Sequence, residues 1–118
     1  MSSLGPLYAK GEGSNIVIGL RIEDKHLNTR GVAHGGMLVT LADSALGIVI
    51  AMVRTPPNPM ATVNLTADFS DVAREGDWVE ARVDVQKMGK RLAFASCNLW
   101  VGERRILRAS GIFAEVQP

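Results

Sequence analysis

The fold of this chain is decided by residues 35–53, GGMLVTLADSALGIVIAMV. This stretch is apolar on nearly every side, which is typical of a helix that the rest of the protein buries. We predict one helix from about Gly35 to Val53. Its end is marked by three prolines that cannot continue a helix, Pro56, Pro57 and Pro59.

One carboxylate, Asp43, lies inside this apolar stretch. Burying a carboxylate that has no hydrogen-bond donor is costly, so a residue kept there is a candidate for chemistry. The alternative is an Asp at a wet seam between subunits that only hydrogen-bonds to a neighbour. The surrounding residues leave both interpretations open.

Alternating apolar and polar residues on both sides of the helix predict strands with one buried face. The upstream strand runs from Ser14 to Glu23, and a loop from Asp24 to Ala33 follows it. Downstream we predict a meander of four strands, at residues 62–69, 78–85, 92–101 and 105–116. Its hairpin turns lie at residues 88–91, where Gly89 would take the special backbone position, and at 102–103.

One face of a flat sheet cannot cover a helix that is apolar all round. The sheet must therefore curl about the helix, and two copies must share edges or faces to cover the remainder. We predict an α+β fold, with residues 1–118 as a single domain in which an antiparallel sheet wraps around one long central helix. The same argument predicts a homodimer.

Composition excludes several classes of protein. The formal net charge of +1 argues against a basic nucleic-acid binder. Residues 1–6 lack the pattern of a signal peptide, and we take residues 37–53 as too short to cross a bilayer. The single cysteine, Cys97, forms no internal disulfide and is interpreted as an inert core residue, so we expect a cytoplasmic protein. No cluster of His, Cys and carboxylates has the spacing of metal ligands, so we predict no metal.

Three short motifs carry a resemblance to a known family: Asn28, His34-Gly35-Gly36 and Leu41-Ala42-Asp43. Together they resemble the signature of hotdog-fold acyl-CoA thioesterases, in particular the phenylacetate-degradation subgroup. Residues 62–69, 74–77 and 87–94 match the same pattern. The resemblance implies a helix wrapped by an antiparallel sheet, and dimers that often pair into tetramers. It also implies active sites at the dimer interface and an acyl-CoA substrate, so that coenzyme A is part of the substrate and not a cofactor.

Thioester hydrolysis needs a base or nucleophile, hydrogen-bond donors for the oxyanion, and contacts that position the coenzyme. The resemblance implies that Asp43 acts as the general base or as the nucleophile. The sequence does not distinguish these two routes. It implies that the amide of Gly35 is the oxyanion donor and that Gly36 contacts the substrate, because the first amides of a helix have no internal partner. The alternative is that both glycines only allow a tight start to the helix.

Three further positions follow from the resemblance. Asn28 and His34 are expected to line the pocket near the thioester, and Thr62 to face the carboxylate across it. The alternatives are a His34 ring that only holds its loop and a Thr62 that only fills a strand. His26 has no such context and is expected to be a solvated residue at a strand end.

Lys90 and Arg91 lie on the predicted hairpin, and cations on a mobile surface turn are expected to bind the phosphates of the coenzyme. The alternative is that both cations lie on a solvated hairpin tip and bind no ligand. Two other functions stay open: a non-catalytic acyl-CoA-binding protein, and a dehydratase or hydratase acting on acyl thioesters. The acyl group, aromatic or medium- to long-chain, is not decided by the sequence, nor is the arrangement of a tetramer.

Overall fold

The computed structural model describes residues 4–11, 16–54 and 60–116. Within these ranges lie six strands, a short 3-10 helix at Asp24–His26 and one α-helix, α1, at Gly35–Val53. The strands are β1 Tyr8–Lys10, β2 Val17–Arg21, β3 Met60–Phe69, β4 Trp78–Met88, β5 Leu92–Val101 and β6 Arg104–Glu115. The predicted bounds of the helix are therefore confirmed.

Capping residues at both ends fix the limits of α1. His34 precedes the helix with extended backbone, and its ring nitrogen Nδ1 accepts a hydrogen bond from the Gly36 amide at 3.0 Å. At the other end Arg54 leaves the helical conformation, and its amide donates to the carbonyl oxygen of Ile50 at 3.0 Å. The three prolines expected to end the helix lie outside the described residues.

All strands pair antiparallel, in the order β1-β2-β4-β5-β6-β3. The predicted four-strand meander is therefore wrong at β3, which crosses to the far edge and pairs with β6. Alternation along a strand sets its buried face but not its neighbour. The prediction also missed β1, a strand of three exposed residues.

Other bounds differ in detail. β2 is shorter than predicted, and Ser14 at the predicted start lies outside the described residues. β4 continues to Met88 because a bulge between Val85 and Lys87 resets its pairing with β5. Gly89 does not have the positive φ that we expected of it. A side chain there would instead place Cβ 2.9 Å from the carbonyl oxygen of Leu92, so close backbone approach requires the glycine.

The core lies between α1 and the concave face of the sheet. The buried side chains of α1 form one stripe that packs against β3, β4, β5 and β6. They are Leu38, Leu41, Ala42, Ala45, Leu46, Val49 and Ile50. The opposite stripe stays uncovered within one chain, with Ile48 37% and Met52 58% exposed. One chain therefore buries only part of its apolar helix.

The prediction that the apolar stretch is too short to span a membrane was wrong by length and composition. Within the described residues α1 is long and apolar enough to pass that test, with a mean hydropathy of 2.0 over its most apolar window. Core helices pass the same test. The packing of α1 against four strands is the arrangement of a core helix.

Candidate active site

The carboxylate of Asp43 and the hydroxyl of Thr62 meet between α1 and β3. Thr62 Oγ1 donates a hydrogen bond to Asp43 Oδ1 at 2.8 Å. A bulge between Thr62 and Asn64 sets Thr62 opposite Phe113, a buried residue, so its hydroxyl faces the helix. Asp43 is half-buried and thus neither sealed in the core nor turned fully to solvent. Its second oxygen, Oδ2, has no hydrogen-bond partner within the described part of the chain and is open to a substrate or a water.

At the start of α1, the amides of the two predicted glycines differ in whether they are free to bind a substrate oxygen. The Gly36 amide already donates to His34 Nδ1, so it is not available to a substrate oxygen in this arrangement. The Gly35 amide has no acceptor among residues 4–11, 16–54 and 60–116. Gly35 therefore offers the free donor that an oxyanion requires.

His34 has one role on each ring nitrogen. Because Nδ1 accepts the Gly36 amide, the ring proton lies on Nε2, which makes the exposed side of the ring a hydrogen-bond donor. The alternative interpretation, in which the ring only holds its loop, therefore holds for Nδ1. Nε2 remains able to donate to a ligand. A cleft of about 370 Å³ adjoins this ring and the first turn of α1.

Phe69 was not predicted as a site residue, yet its ring lies beside the free amide of Gly35. A Cβ added at Gly35 would lie 3.3 Å from Phe69 Cζ, and the Phe69 side chain is 53% exposed at the end of β3. The alternation of residues 62–69 predicts that Phe69 lies on the buried face of its strand. The two-residue alternation of a strand does not indicate that the Phe69 ring extends past the sheet to the start of the helix.

Asn28 shapes the loop that leads to the helix. Its side-chain oxygen accepts hydrogen bonds from the amides of Arg30 at 2.9 Å and Val32 at 3.3 Å. Gly31, with φ +79°, completes this turn. The oxygen of Asn28 is therefore used within the loop, and its amide NH₂ is the group left to donate to a ligand.

The expectation for His26 was wrong. The residue is 2% exposed; its Nδ1 accepts from the Glu23 amide and its Nε2 donates to the carbonyl oxygen of Leu4, both at 2.9 Å. The 3-10 turn folds the ring inward, which periodicity does not reveal. The carbonyl oxygen of His26 also accepts the His34 amide at 2.8 Å, so this buried ring supports the loop that carries His34.

The segment after β3 braces the same loop. The Ala33 amide donates to the carbonyl oxygen of Ala73 at 2.7 Å. Arg104 holds this segment by donating to the Val72 carbonyl oxygen at 2.6 Å and pairing with the Asp71 carboxylate at 3.2 Å. The amide of Val72, bonded to Asp71 at 2.8 Å, and then Arg104 lower the pKa of the Asp71 carboxyl.

Lys90 and Arg91 lie apart from the other predicted residues. Both are exposed at the β4–β5 hairpin, beside the C-terminal end of α1, whereas His34 and Gly35 lie at its start. A larger cleft of about 720 Å³ on the outer sheet face, between Tyr8, Trp78 and Arg82, contains none of the predicted residues. The described residues hold no group of three His, Cys, Asp or Glu that could bind a metal.

Comparison with known proteins assigns the family. A family model described as the thioesterase superfamily matches residues 30–107. The chain belongs to the thioesterase superfamily. A candidate esterase of Pseudomonas aeruginosa is 50% identical to this superfamily member over 111 residues, which cover 93% of this chain and 83% of that one.

Acyl-coenzyme A thioesterase 13 of Mus musculus is 30% identical over 84 residues, which cover 71% of this thioesterase and 59% of that protein. The chain thus spans less than two thirds of the mouse relative. A Streptococcus mutans protein solved bound to acetyl-CoA has the same fold, with a TM-score of 0.87 and 18% identity over 95% of this chain and 90% of that one. The fold of this thioesterase is the hotdog fold, and the protein is a thioester hydrolase.

Proposed function

We propose that this thioesterase hydrolyses acyl-CoA to the free acid and coenzyme A, with Asp43 as the acting carboxylate. The observation that carries the proposal is the 2.8 Å hydrogen bond from Thr62 to Asp43. It orients one oxygen of the carboxylate and leaves the other, Oδ2, without a hydrogen-bond partner among the described residues. A carboxylate held in this way is suited to accept a proton from water or to attack a carbonyl carbon.

Three observations support coenzyme A as the carrier of the acyl group. The Streptococcus mutans neighbour was solved bound to acetyl-CoA, and the mouse relative is named an acyl-CoA thioesterase. In this chain, Lys90 and Arg91 present two exposed cations at the hairpin, and cations are the usual partners of phosphate groups.

In the proposed reaction, water adds to the thioester carbonyl carbon and its proton passes to Asp43. The carbonyl oxygen becomes an oxyanion that accepts a hydrogen bond from the Gly35 amide. The carbon–sulfur bond then breaks, and the thiolate of coenzyme A leaves and takes up the proton. In the second route Asp43 attacks the carbon itself, and water cleaves the resulting anhydride. A single turnover in water labelled with oxygen-18 tests for the second route. Appearance of the label in the Asp43 carboxylate would identify that route.

The spacing of the two groups favours a site shared by two protomers. Gly35 and Asp43 are eight residues apart on α1, about 12 Å along its axis, so one chain does not bring both to the same carbonyl. Two antiparallel α1 helices related by a two-fold axis near Val39 would set Gly35 of one protomer beside Asp43 of its partner. The uncovered stripe with Ile48 and Met52 provides apolar surface for such a dimer.

The edge of the sheet supports the same dimer. β3 is ten residues long and has a neighbour on one side only among the described strands. A long unpaired edge strand invites pairing with a second copy. We extend the proposal to a tetramer of two dimers, and to a cytoplasmic location, which suits the free thiol of Cys97.

A panel of acyl-CoA substrates from phenylacetyl to palmitoyl, followed by thiol release, tests the reaction. We expect turnover of at least one member. Tight acyl-CoA binding without turnover would instead support the non-catalytic binder, and water addition to an enoyl thioester without hydrolysis would support the hydratase.

Mixing two inactive variants tests the shared site. Asp43→Asn and Gly35→Pro each damage both sites of a homodimer, but a mixed dimer keeps one intact site if each site draws on both chains. Random exchange should therefore restore about a quarter of the wild-type activity. No recovery after exchange, with mixed dimers detected by mass, would contradict a shared site.

A further inference from the structure

We infer that Arg54 is a positioning residue that fixes the β4–β5 hairpin, so that Lys90 and Arg91 meet the phosphates of coenzyme A. This inference rests on the proposed function and deepens it. Arg54 is the residue that caps the C-terminal end of α1, and the hairpin (residues 88–91) lies directly beside it.

The guanidinium of Arg54 contacts the hairpin on both of its terminal nitrogens. Nη1 donates to the carbonyl oxygen of Gly89 at 3.0 Å and lies 3.7 Å from Met88 Sδ. Nη2 donates to the carbonyl oxygen of Lys90 and to Glu115 Oε2, the latter at 3.2 Å. Only 11% of the Arg54 side chain is exposed. One side chain therefore joins the helix, the hairpin and the end of β6.

These contacts indicate a positioning role and not direct phosphate binding. The charge of Arg54 already faces the Glu115 carboxylate, and both terminal nitrogens are directed at protein oxygens. A phosphate would have to displace these partners from a nearly buried group. Lys90 and Arg91, by contrast, are exposed. Arg54 thus acts on a phosphate through the two cations of the hairpin that it holds.

The rest of the hairpin backbone is fixed as well. The Gly89 amide donates to the carbonyl oxygen of Leu92, and the Glu115 amide to that of Arg91, both at 2.8 Å. Carbonyl oxygens 89, 90 and 91 are therefore all bonded. The cations therefore project from a hairpin whose backbone carbonyl oxygens are held by hydrogen bonds, which lowers the entropy lost when they bind an anion.

Two substrates separate this role from a general structural one. An acyl-CoA carries the phosphates, whereas the N-acetylcysteamine thioester of the same acid keeps the reacting group and lacks them. We expect Arg54→Gln to raise KM for the acyl-CoA about tenfold, the effect of losing one good charge contact, with kcat within about twofold. KM for the truncated thioester should not change.

Two further variants keep the inference falsifiable. Arg54→Lys keeps the positive charge but lacks the two terminal nitrogens of the guanidinium. Its KM for the acyl-CoA should therefore lie between those of wild type and Arg54→Gln. If Arg54 acts through the hairpin, adding Arg54→Gln to the Lys90→Ala/Arg91→Ala variant should raise KM little further, and the cycle should be non-additive. Hydrogen exchange at residues 88–91 should be faster in Arg54→Gln, a readout that needs no turnover.

The outcomes are distinguishable. Equal rises in KM for both thioesters, a fall in kcat alone, or additive effects in the cycle would overturn the role of Arg54 while wild-type turnover upholds the proposed function. A wild type that neither binds coenzyme A nor hydrolyses either thioester would overturn both. If Arg54→Gln unfolds, seen as a collapsed Tm, Arg54→Lys decides the question through its KM for the two thioesters and its hydrogen exchange at residues 88–91.

Discussion

Thr62 on β3 donates its hydroxyl hydrogen to the carboxylate of Asp43 on α1, with 2.8 Å between Oγ1 and Oδ1. This bond joins the sheet to the helix at the one acidic position of the helix. It supplies the donor that a half-buried carboxylate needs and fixes its orientation. The free oxygen, Oδ2, is therefore held in one direction before any substrate arrives.

Replacement of the carboxylate tests its chemistry directly. Asp43→Asn keeps the size of the side chain and an oxygen for Thr62, but it neither accepts a proton nor attacks a carbonyl. We expect kcat to fall by about 10²- to 10⁴-fold, as for loss of a general base. Tm and the mass of the oligomer should be unchanged. Near-normal turnover by a folded Asp43→Asn protein would remove Asp43 from the mechanism.

The hydroxyl of Thr62 is tested by two substitutions at one position. Thr62→Val removes the donor with little change in volume, and hydrogen bonds to charged groups contribute about 1.5–3 kcal/mol. We expect kcat/KM to fall by about 10-fold or more, and Thr62→Ser to restore most of it. Thr66→Val is the matched control, because Thr66 lies on the same strand and its hydroxyl donates to Asn64 Oδ1, at 3.3 Å, and not to Asp43. Similar losses in Thr62→Val and Thr66→Val would indicate a strand effect.

The free amide of Gly35 is tested with proline and alanine. Gly35 is the first residue of α1, where proline is tolerated, and His34 before it has the extended backbone that proline requires. Gly35→Pro should therefore delete the donor, lower kcat by about 10²-fold or more and leave the helix intact. Gly35→Ala adds the same contact with Phe69 and keeps the amide. Equal losses in both variants would assign the effect to crowding at Phe69.

Much of the fold follows from residues 35–53, because an apolar helix with one carboxylate requires a curved sheet around it. The sequence also indicated Asp43, Thr62 and Gly35, and the structure brings Asp43 and Thr62 together. The position of β3 beside β6 was not predictable, since alternation does not encode neighbours. The predicted helix did fix the separation of Gly35 from Asp43, because eight helical residues extend about 12 Å along the axis.

The contacts that the sequence did not reveal are long-range. The buried ring of His26 bonds the carbonyl oxygen of Leu4, which lies 22 residues away along the chain. Arg54 reaches the hairpin across about 35 residues, and no local pattern distinguishes it from a solvated arginine after a helix. Such residues are defined by tertiary neighbours, which periodicity and motif spacing do not contain.

The thiol of Cys97 should be inert in the folded protein. Burial raises its pKa to about 12, and the side chain is fully buried in β5. At pH 8 only about one thiol in 10⁴ is therefore ionised. We expect no reaction with a disulfide reagent in native buffer and one thiol per chain in denaturant. Rapid native labelling would contradict this packing and would also disturb the thiol-release assay.

The ion pair of Asp71 with Arg104 should give a pH-dependent contribution to stability. The Val72 amide and then Arg104 lower the pKa of the Asp71 carboxyl below its ordinary 3.8 in the folded state. A group whose folded pKa is lowered stabilises the protein above its unfolded pKa and loses this contribution as pH falls through the folded value. Asp71→Asn should therefore lower Tm slightly near pH 7, and the difference should shrink as pH falls below about 4.

A second exposed pair provides the control for this measurement. Asp68 pairs with Arg108 at 3.2 Å, but both side chains are more than 60% exposed, and such pairs contribute little. Arg104, by contrast, also holds the Val72 carbonyl oxygen, so Asp71 acts on the segment that braces the loop before α1. Asp68→Asn should therefore change Tm less than Asp71→Asn at pH 7. A Tm difference for Asp71→Asn that stays constant from pH 7 to pH 3 would assign its effect to something other than charge.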